Sequence, residues 1–375
     1  MIYLDHNATT PLHPEVFEAM RPYFLEEWGN PSSSYHFGSK IKGVIEQARG
    51  EVASLIGAGG REIIFTGCAT ESNNAAIHAA LRANPAKRHI ITSQVEHSSV
   101  LEYCKVLEEQ DYRVTYLGVD REGLLNLSDL EDALHAETAV VSLMWANNET
   151  GVLFPVQKIG ELCRERGVLF HCDAVQAVGK ARVDVAKVPV DYLSLTGHKI
   201  NAPKGIGALY VHRKAPFSPF ICGGHQEKGR RGGTENVAFI AGLGKAAELA
   251  RKNLPQYYQA VRPLRDALEQ GILSSVSIAE RNGHEMERLP NTSNITFHGI
   301  EAEALLLLLD GDDICASSGS ACLADSEEPS HVIGAMKPET DGRNTLRFSL
   351  GMSNTMEETC RTVDAVRRAA TVLTA

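Results

Sequence analysis

The eight cysteines of this chain form no CxxC pair and no compact framework, so neither a disulfide scaffold nor a structural zinc site is expected from them. The 14 histidines add no zinc-like spacing. Long apolar runs are also missing. Ala302 to Leu309 is interrupted by Glu303 and stops at Asp310-Gly311, far short of the roughly 18 residues that a membrane span requires. Met1-Ile2-Tyr3-Leu4-Asp5 has neither a basic nor an apolar leader region, which predicts a cytoplasmic protein. No basic block accompanies the formal charge of -10, which argues against nucleic-acid binding. Internal repeats and low-complexity tracts are absent too. The Gly57-Ala58-Gly59-Gly60 cluster precedes a strand-like run instead of following one, so a dinucleotide fingerprint fails.

What remains is the composition of a globular enzyme: 375 residues, 43% hydrophobic and 22% charged, enough for two domains. Strand-like runs recur at Glu62–Thr66, His89–Ser93, Arg113–Leu117, Ala139–Met144, Val168–Cys172, Tyr192–Thr196 and Gly207–His212. Helix-like segments at Glu71–Arg82, Ser98–Glu109 and Val156–Arg166 separate several of them. The alternation predicts an α/β layer around a mainly parallel sheet, with ligands at the carboxyl ends of the strands. From Arg251 to Gly271 the pattern changes to a long charged helix, with Pro255 and Pro263 as breaks. Fewer strands follow, Ser293–Phe297 and Thr345–Ser349, as in a smaller α+β domain. Cys104, Cys163 and Cys172 lie within helix-like or strand-like patterns and read as buried hydrophobes.

Five of the apolar runs end near polar residues suited to an aldehyde cofactor: Thr70, His97, Asn148, Asp173 and Lys199. Lys199 follows Thr196-Gly197-His198, where glycine allows close approach and two donors flank the amine. Such a lysine can form a Schiff base with pyridoxal phosphate. Asp173 can keep a pyridine nitrogen protonated, and Gln176 stands three residues on. The competing reading of Asp173 is a helix cap. His97 can stack on a flat cofactor and relay protons, or be structural. Thr70, just before a helix, suits anion capture. Arg347 alternates with apolar neighbours and can grip a carboxylate or form a structural salt bridge. Cys322 closes Ser317-Ser318-Gly319-Ser320-Ala321-Cys322, a stretch of small residues where a thiol serves reactivity better than packing.

These phrases resemble, nearly end to end, the pyridoxal-phosphate-dependent cysteine desulfurases of the NifS/IscS type, within the class V aminotransferases. The resemblance rests on Tyr3 to Pro11, Gly29-Asn30-Pro31-Ser32-Ser33, Ala69-Thr70-Glu71-Ser72-Asn73-Asn74 and Asn147-Asn148-Glu149-Thr150-Gly151. Gly197-His198-Lys199, Arg231-Gly232-Gly233-Thr234-Glu235-Asn236 and Ser317 to Cys322 complete it. It implies a fold-type-I transferase: a large domain with a mainly parallel seven-stranded sheet, and a smaller α+β domain. The corresponding division is an N-terminal segment 1–13 packing with the small domain, a large cofactor-binding domain 14–255, and a small domain 256–375 carrying the cysteine loop.

By the same resemblance the chain is a homodimer that converts L-cysteine to L-alanine, leaving a persulfide on Cys322 for an iron–sulfur scaffold or another acceptor protein. Lys199, Cys322 and His97 are then catalytic. Ala69, Thr70, Asn148, Asp173, Gln176, Thr196, His198 and, across the dimer, Thr234 bind the cofactor. Asn148 and Arg347 bind the substrate carboxylate. No resident metal is implied, although relatives can share a transient iron–sulfur cluster through the residue matching Cys322. His6 stands where many members have a second Asn, Thr196 replaces a frequent Ser, and Leu323-Ala324 replaces a small polar pair. A selenocysteine lyase, a cysteine sulfinate desulfinase and a non-catalytic sulfur-relay subunit that binds pyridoxal phosphate remain as alternatives. Arg231 to Asn236 and Ala202-Pro203-Lys204-Gly205 lean towards the nitrogen-fixation type.

Overall fold

The apolar runs are continuous because the sheet they build is covered on both faces. In this computed structural model, which describes residues 1–319, 329–340 and 342–374, twelve strands follow in chain order. They are β1 (Ile2–Tyr3), β2 (Ile63–Thr66), β3 (His89–Ser93), β4 (Arg113–Leu117), β5 (Thr138–Met144) and β6 (Leu169–Asp173). Then come β7 (Tyr192–Thr196), β8 (Gly207–Val211), β9 (Ala279–Asn282), β10 (Thr292–Phe297), β11 (Ile314–Cys315) and β12 (Thr345–Ser349).

Seven of these strands form the central sheet, in the order β2-β8-β7-β6-β5-β3-β4. Only β8 runs against its neighbours, so the carboxyl ends of the other six share one edge. Alternation along each strand splits the apolar side chains between the two faces. Ile64, Ile90, Val140 and Leu209 pack with the helices Ala69–Ala83 and Ser98–Glu108. Ile63, Ile91, Val141 and Leu193 join the larger cluster, which includes residues of the helices Ile41–Leu55 and Val156–Glu165. Cys104, Cys163 and Cys172 are buried as expected. Burial pushes the Cys104 and Cys163 thiols up to about 12.

A second sheet, β12-β10-β9, is antiparallel and encloses its own apolar cluster with the helices Ala302–Gly311 and Met356–Thr374. The N-terminal segment touches both parts. Ile2 and Tyr3 pair with β11, and Asp5 bridges to Ser349 of β12. Thr10 and His13 hydrogen-bond through their N–H groups to the carbonyls of His198 and Asn201.

Two expectations need correcting. Pro255 and Pro263 do not break the helix, which runs unbroken from Val237 to Ser275. Each proline frees a carbonyl one turn back, at Arg251 and Gln259, and both of those residues are exposed, so water can solvate the freed groups. In addition, β9 pairs with β10 although its Ala-Glu-Arg-Asn sequence reads as polar. It is an edge strand of a three-stranded sheet, where one side needs no apolar partner. No described helix is long and apolar enough to cross a membrane.

Candidate active site

The carboxyl edge of the central sheet opens into a cavity of about 210 Å³. Asp173, His97, Asn148, Gln176, Lys199 and Arg347 line it. Ala69, Thr70, Thr196 and His198 line it as well, so ten of the twelve residues expected at the site converge on one space. Thr234 is exposed on the loop before the helix Val237–Ser275 and is not among the described lining residues. Cys322 lies outside the described residues.

Asp173 ends β6, buried, with both carboxylate oxygens held. Oδ1 accepts from the Val175 N–H (3.0 Å) and Oδ2 from Asn73 Nδ2 (2.8 Å). The same Asn73 amide also donates to Ser99 Oγ (2.9 Å), which lies 2.8 Å from His97 Nδ1. Asp173 and His97 are thus joined through two side chains that sequence reading missed. His97 caps the helix Ser98–Glu108. Its Nδ1 accepts from the Ser99 N–H (3.1 Å), which puts the neutral ring's proton on Nε2.

Lys199 closes a short 3-10 turn directly after β7. Gly197 makes that turn possible, because a Cβ there would lie 2.8 Å from Ile206 Cγ2. The Lys199 amine donates to the carbonyls of Asn7 and of Ala8, the latter at 2.6 Å. Asn7 is a hub that sequence reading met only as part of a phrase. Its N–H donates to Ser349 Oγ, and its side chain donates to the Asn148 carbonyl and Thr292 Oγ1. The His198 imidazole is lowered to about 4 by burial, with Lys199, Lys204, Lys180 and His97 adding to the effect.

Arg347, on β12, is at once structural and site-lining. One Nη donates to Asp5 Oδ1 (2.8 Å) and the other to the Asn148 carbonyl (3.1 Å), while the buried Nε has no partner among the described residues. The buried Asn148 Oδ1 likewise has none among the described residues. The described residues flanking Cys322 are fixed beside this site. Ser317 exchanges backbone hydrogen bonds with Arg347, and Ser330 Oγ donates to Glu149 Oε2 at 2.6 Å. His331 Nε2 lies 2.9 Å from the Glu96 carbonyl.

Residues 2–361 match the Aminotransferase class-V family. This chain belongs to that family. The class V chain is 54% identical to cysteine desulfurase 2 of Trichormus variabilis, over 96% of its own length and 90% of the relative's. It is 49% identical to the cysteine desulfurase NifS of Azotobacter vinelandii, covering 97% and 91%. A solved NifS-like protein superposes with a TM-score of 0.93 at 34% identity, with 99% of each chain covered. The class V fold, a fold-type-I transferase with pyridoxal phosphate as its cofactor, matches the expected architecture.

The cavity suits that cofactor on its own evidence. A buried carboxylate held by two donors fits a protonated ring nitrogen. The first N–H groups of the 15-residue helix Ala69–Ala83, which have no intrahelical partner, join Thr70, Thr196 and His198 as a cradle for a phosphate. The orphaned Asn148 Oδ1 and Arg347 Nε offer polar atoms still to be satisfied. Among the described residues, no group of three or more His, Cys, Asp or Glu is placed to hold a metal ion.

Proposed function

We infer that the protein is a pyridoxal-phosphate-dependent cysteine desulfurase that converts L-cysteine to L-alanine and takes the sulfur onto Cys322. The observation that carries this reading is the convergence of Lys199, Asp173, His97, Gln176, Asn148 and Arg347 on one cavity. The near-full-length likeness to proteins named cysteine desulfurase supports it.

When bound, the cofactor supplies an aldehyde for the amino acid and a protonated ring that draws electrons from its Cα. Asp173 would hold the proton on the ring nitrogen. Lys199 would hold the cofactor's aldehyde and, once released, take the substrate's Cα proton. His97 would face the ring and relay protons from Nε2. Asn148 and Arg347 orient the substrate carboxylate, with Arg347 pre-set by Asp5. The Cys322 thiolate would attack the substrate sulfur; the S–S bond forms as the Cβ–S bond breaks, and the bonding pair stays with the carbon fragment, which is protonated and released as alanine.

The acceptor of the persulfide is an iron–sulfur scaffold or another thiol protein, and the enzyme works as a cytoplasmic homodimer to which Thr234 contributes across the interface. Residues 14–255 make the large domain, 256–375 the small one, and 1–13 an N-terminal segment that packs with the small one.

Purified protein incubated with cysteine and a reductant tests the reading. Wild type should yield alanine and sulfide in equal amounts, and Cys322→Ala should yield neither while staying yellow. Alanine production by Cys322→Ala at the wild-type rate would remove Cys322 from the mechanism. No alanine from yellow wild type would remove cysteine as the substrate.

A further inference from the structure

Lys180 is a buried amine that no step above uses. It is only 4% exposed, and it donates to Asn7 Oδ1 (2.9 Å) and Gln176 Oε1 (2.6 Å). No carboxylate pairs with it among the described residues; its charged neighbours are Lys199 and Arg347. Burial, with those two cations adding, pushes the Lys180 amine well below its ordinary value. Gly179 turns the chain inward just before it, at a φ of +79°, where a Cβ would lie 2.8 Å from Ile200 Cγ2.

The two hydrogen bonds have a consequence for Gln176. A glutamine amide can ordinarily sit either way round. The Asn7 carbonyl only accepts, so the amide atom facing it must be Nε2, which leaves Oε1 facing the Lys180 amine. Gln176 Nε2 is then the end that donates to the Asn7 carbonyl (3.0 Å), and its second hydrogen remains for the cavity that Gln176 lines. Asn7 is fixed in the same way. Its Oδ1 receives Lys180 and Asn291 Nδ2 (3.0 Å), and its carbonyl receives both Gln176 and Lys199.

We propose that Lys180 is a positioning residue that, together with the Asn7 carbonyl, clamps Gln176 so that it presents an N–H donor to the ring oxygen of the cofactor, and that steadies Asn7, on whose carbonyl Lys199 rests. The proposal rests on the cofactor reading given above. A donor on the ring oxygen favours the cofactor form in which that oxygen is anionic and the neighbouring nitrogen unprotonated. Without Lys180 the Gln176 amide keeps only its Asn7 anchor and places its donor less firmly, that form is less favoured, and the cofactor holds its proton to higher pH.

The test is a pH titration of the visible band of the cofactor-loaded protein, a readout independent of turnover. Among the described residues, the other titratable groups facing this space are Cys68, Lys199, His97, His198 and Asp173, with Arg347 held by Asp5. Lys180→Met removes a donor from Gln176 Oε1 but strands no charge, and Asn7 Oδ1 keeps its bond from Asn291, so the variant should fold. Its midpoint should rise by about one pH unit. In a Gln176→Met background the same exchange should move the midpoint no further. Should Lys180→Met not fold, Lys180→Ala must shift the midpoint in the same direction. An unmoved midpoint overturns the proposal, and so does an equal shift in both backgrounds. A wild-type protein without a visible band would instead refute the cofactor reading itself.

Discussion

Glu96 is a carboxyl group whose ionisation the fold resists. Burial, outweighing its bonds from Ser93 Oγ and the Met144 N–H, raises it to about 8, and its Oε2 has no partner among the described residues. A neutral carboxyl carrying its proton on Oε2 fits this geometry. Because the folded value lies above the unfolded one, the group's contribution to stability is full below the ordinary carboxylate range and is lost as pH rises through about 8. The buried imidazoles His6, His89 and His171, each lowered to about 4 chiefly by burial, act in the opposite sense. Their contribution is full above the ordinary histidine value and is lost as pH falls towards 4. Glu96→Gln should therefore gain Tm relative to wild type as pH rises from about 5 to about 8.5. A difference in Tm that stays constant over this range would show that Glu96 is ionised throughout.

At the residue scale the sequence was legible where one side chain carries one job. Lys199, Asp173, His97, Asn148 and Thr70 each follow an apolar run, and the sheet brings all of them to one edge. Asn7, Asn73, Ser99 and Lys180 were not singled out. Their roles come from partners far along the chain, such as Asn73 with Asp173 and Asn7 with Thr292, and no local pattern announces them.

Among the elements, the loop before the helix Val237–Ser275 is held by a buried ion pair. Arg49 meets Glu227 through two hydrogen bonds of 2.6 and 2.8 Å, and the Phe65 N–H adds a third (3.1 Å). This loop carries Thr234, and its two passes cross tightly, since a Cβ on Gly232 would lie 2.6 Å from Gly223 Cα. Arg49→Met strands a buried carboxylate and should cost about 3–5 kcal/mol in denaturant unfolding. Arg49→Met with Glu227→Met should recover much of that loss. If the single exchange costs no more than an exposed ion pair, the pair is not what holds the loop. Element boundaries were legible to within a residue or two for the buried strands. The long helix was misread because proline is a local signal, whereas solvation of the freed carbonyls depends on where the helix lies.

For the whole molecule, the exposed position of Thr234 in one chain matters most. If each site borrows it from the partner subunit, chains carrying Lys199→Ala and chains carrying Thr234→Ala, each weakly active or inactive alone, should complement when mixed and refolded. Mixed dimers then contain one site with both native residues. Mixing that restores nothing beyond the sum of the two variants would place Thr234 in its own subunit's site or outside any site. The architecture was readable from the alternation of strands and helices, whereas the contact of the N-terminal segment with both parts, through Ser349 and through the turn after β7, rests on partners far along the chain.

The most direct test of the central claim is the mass of the intact protein after one turnover with L-cysteine in the absence of reductant. The account predicts a gain of one sulfur atom, localised to the peptide containing Cys322, with one alanine released per sulfur. Alanine released with no sulfur on the protein, or with the sulfur on another cysteine, would contradict it.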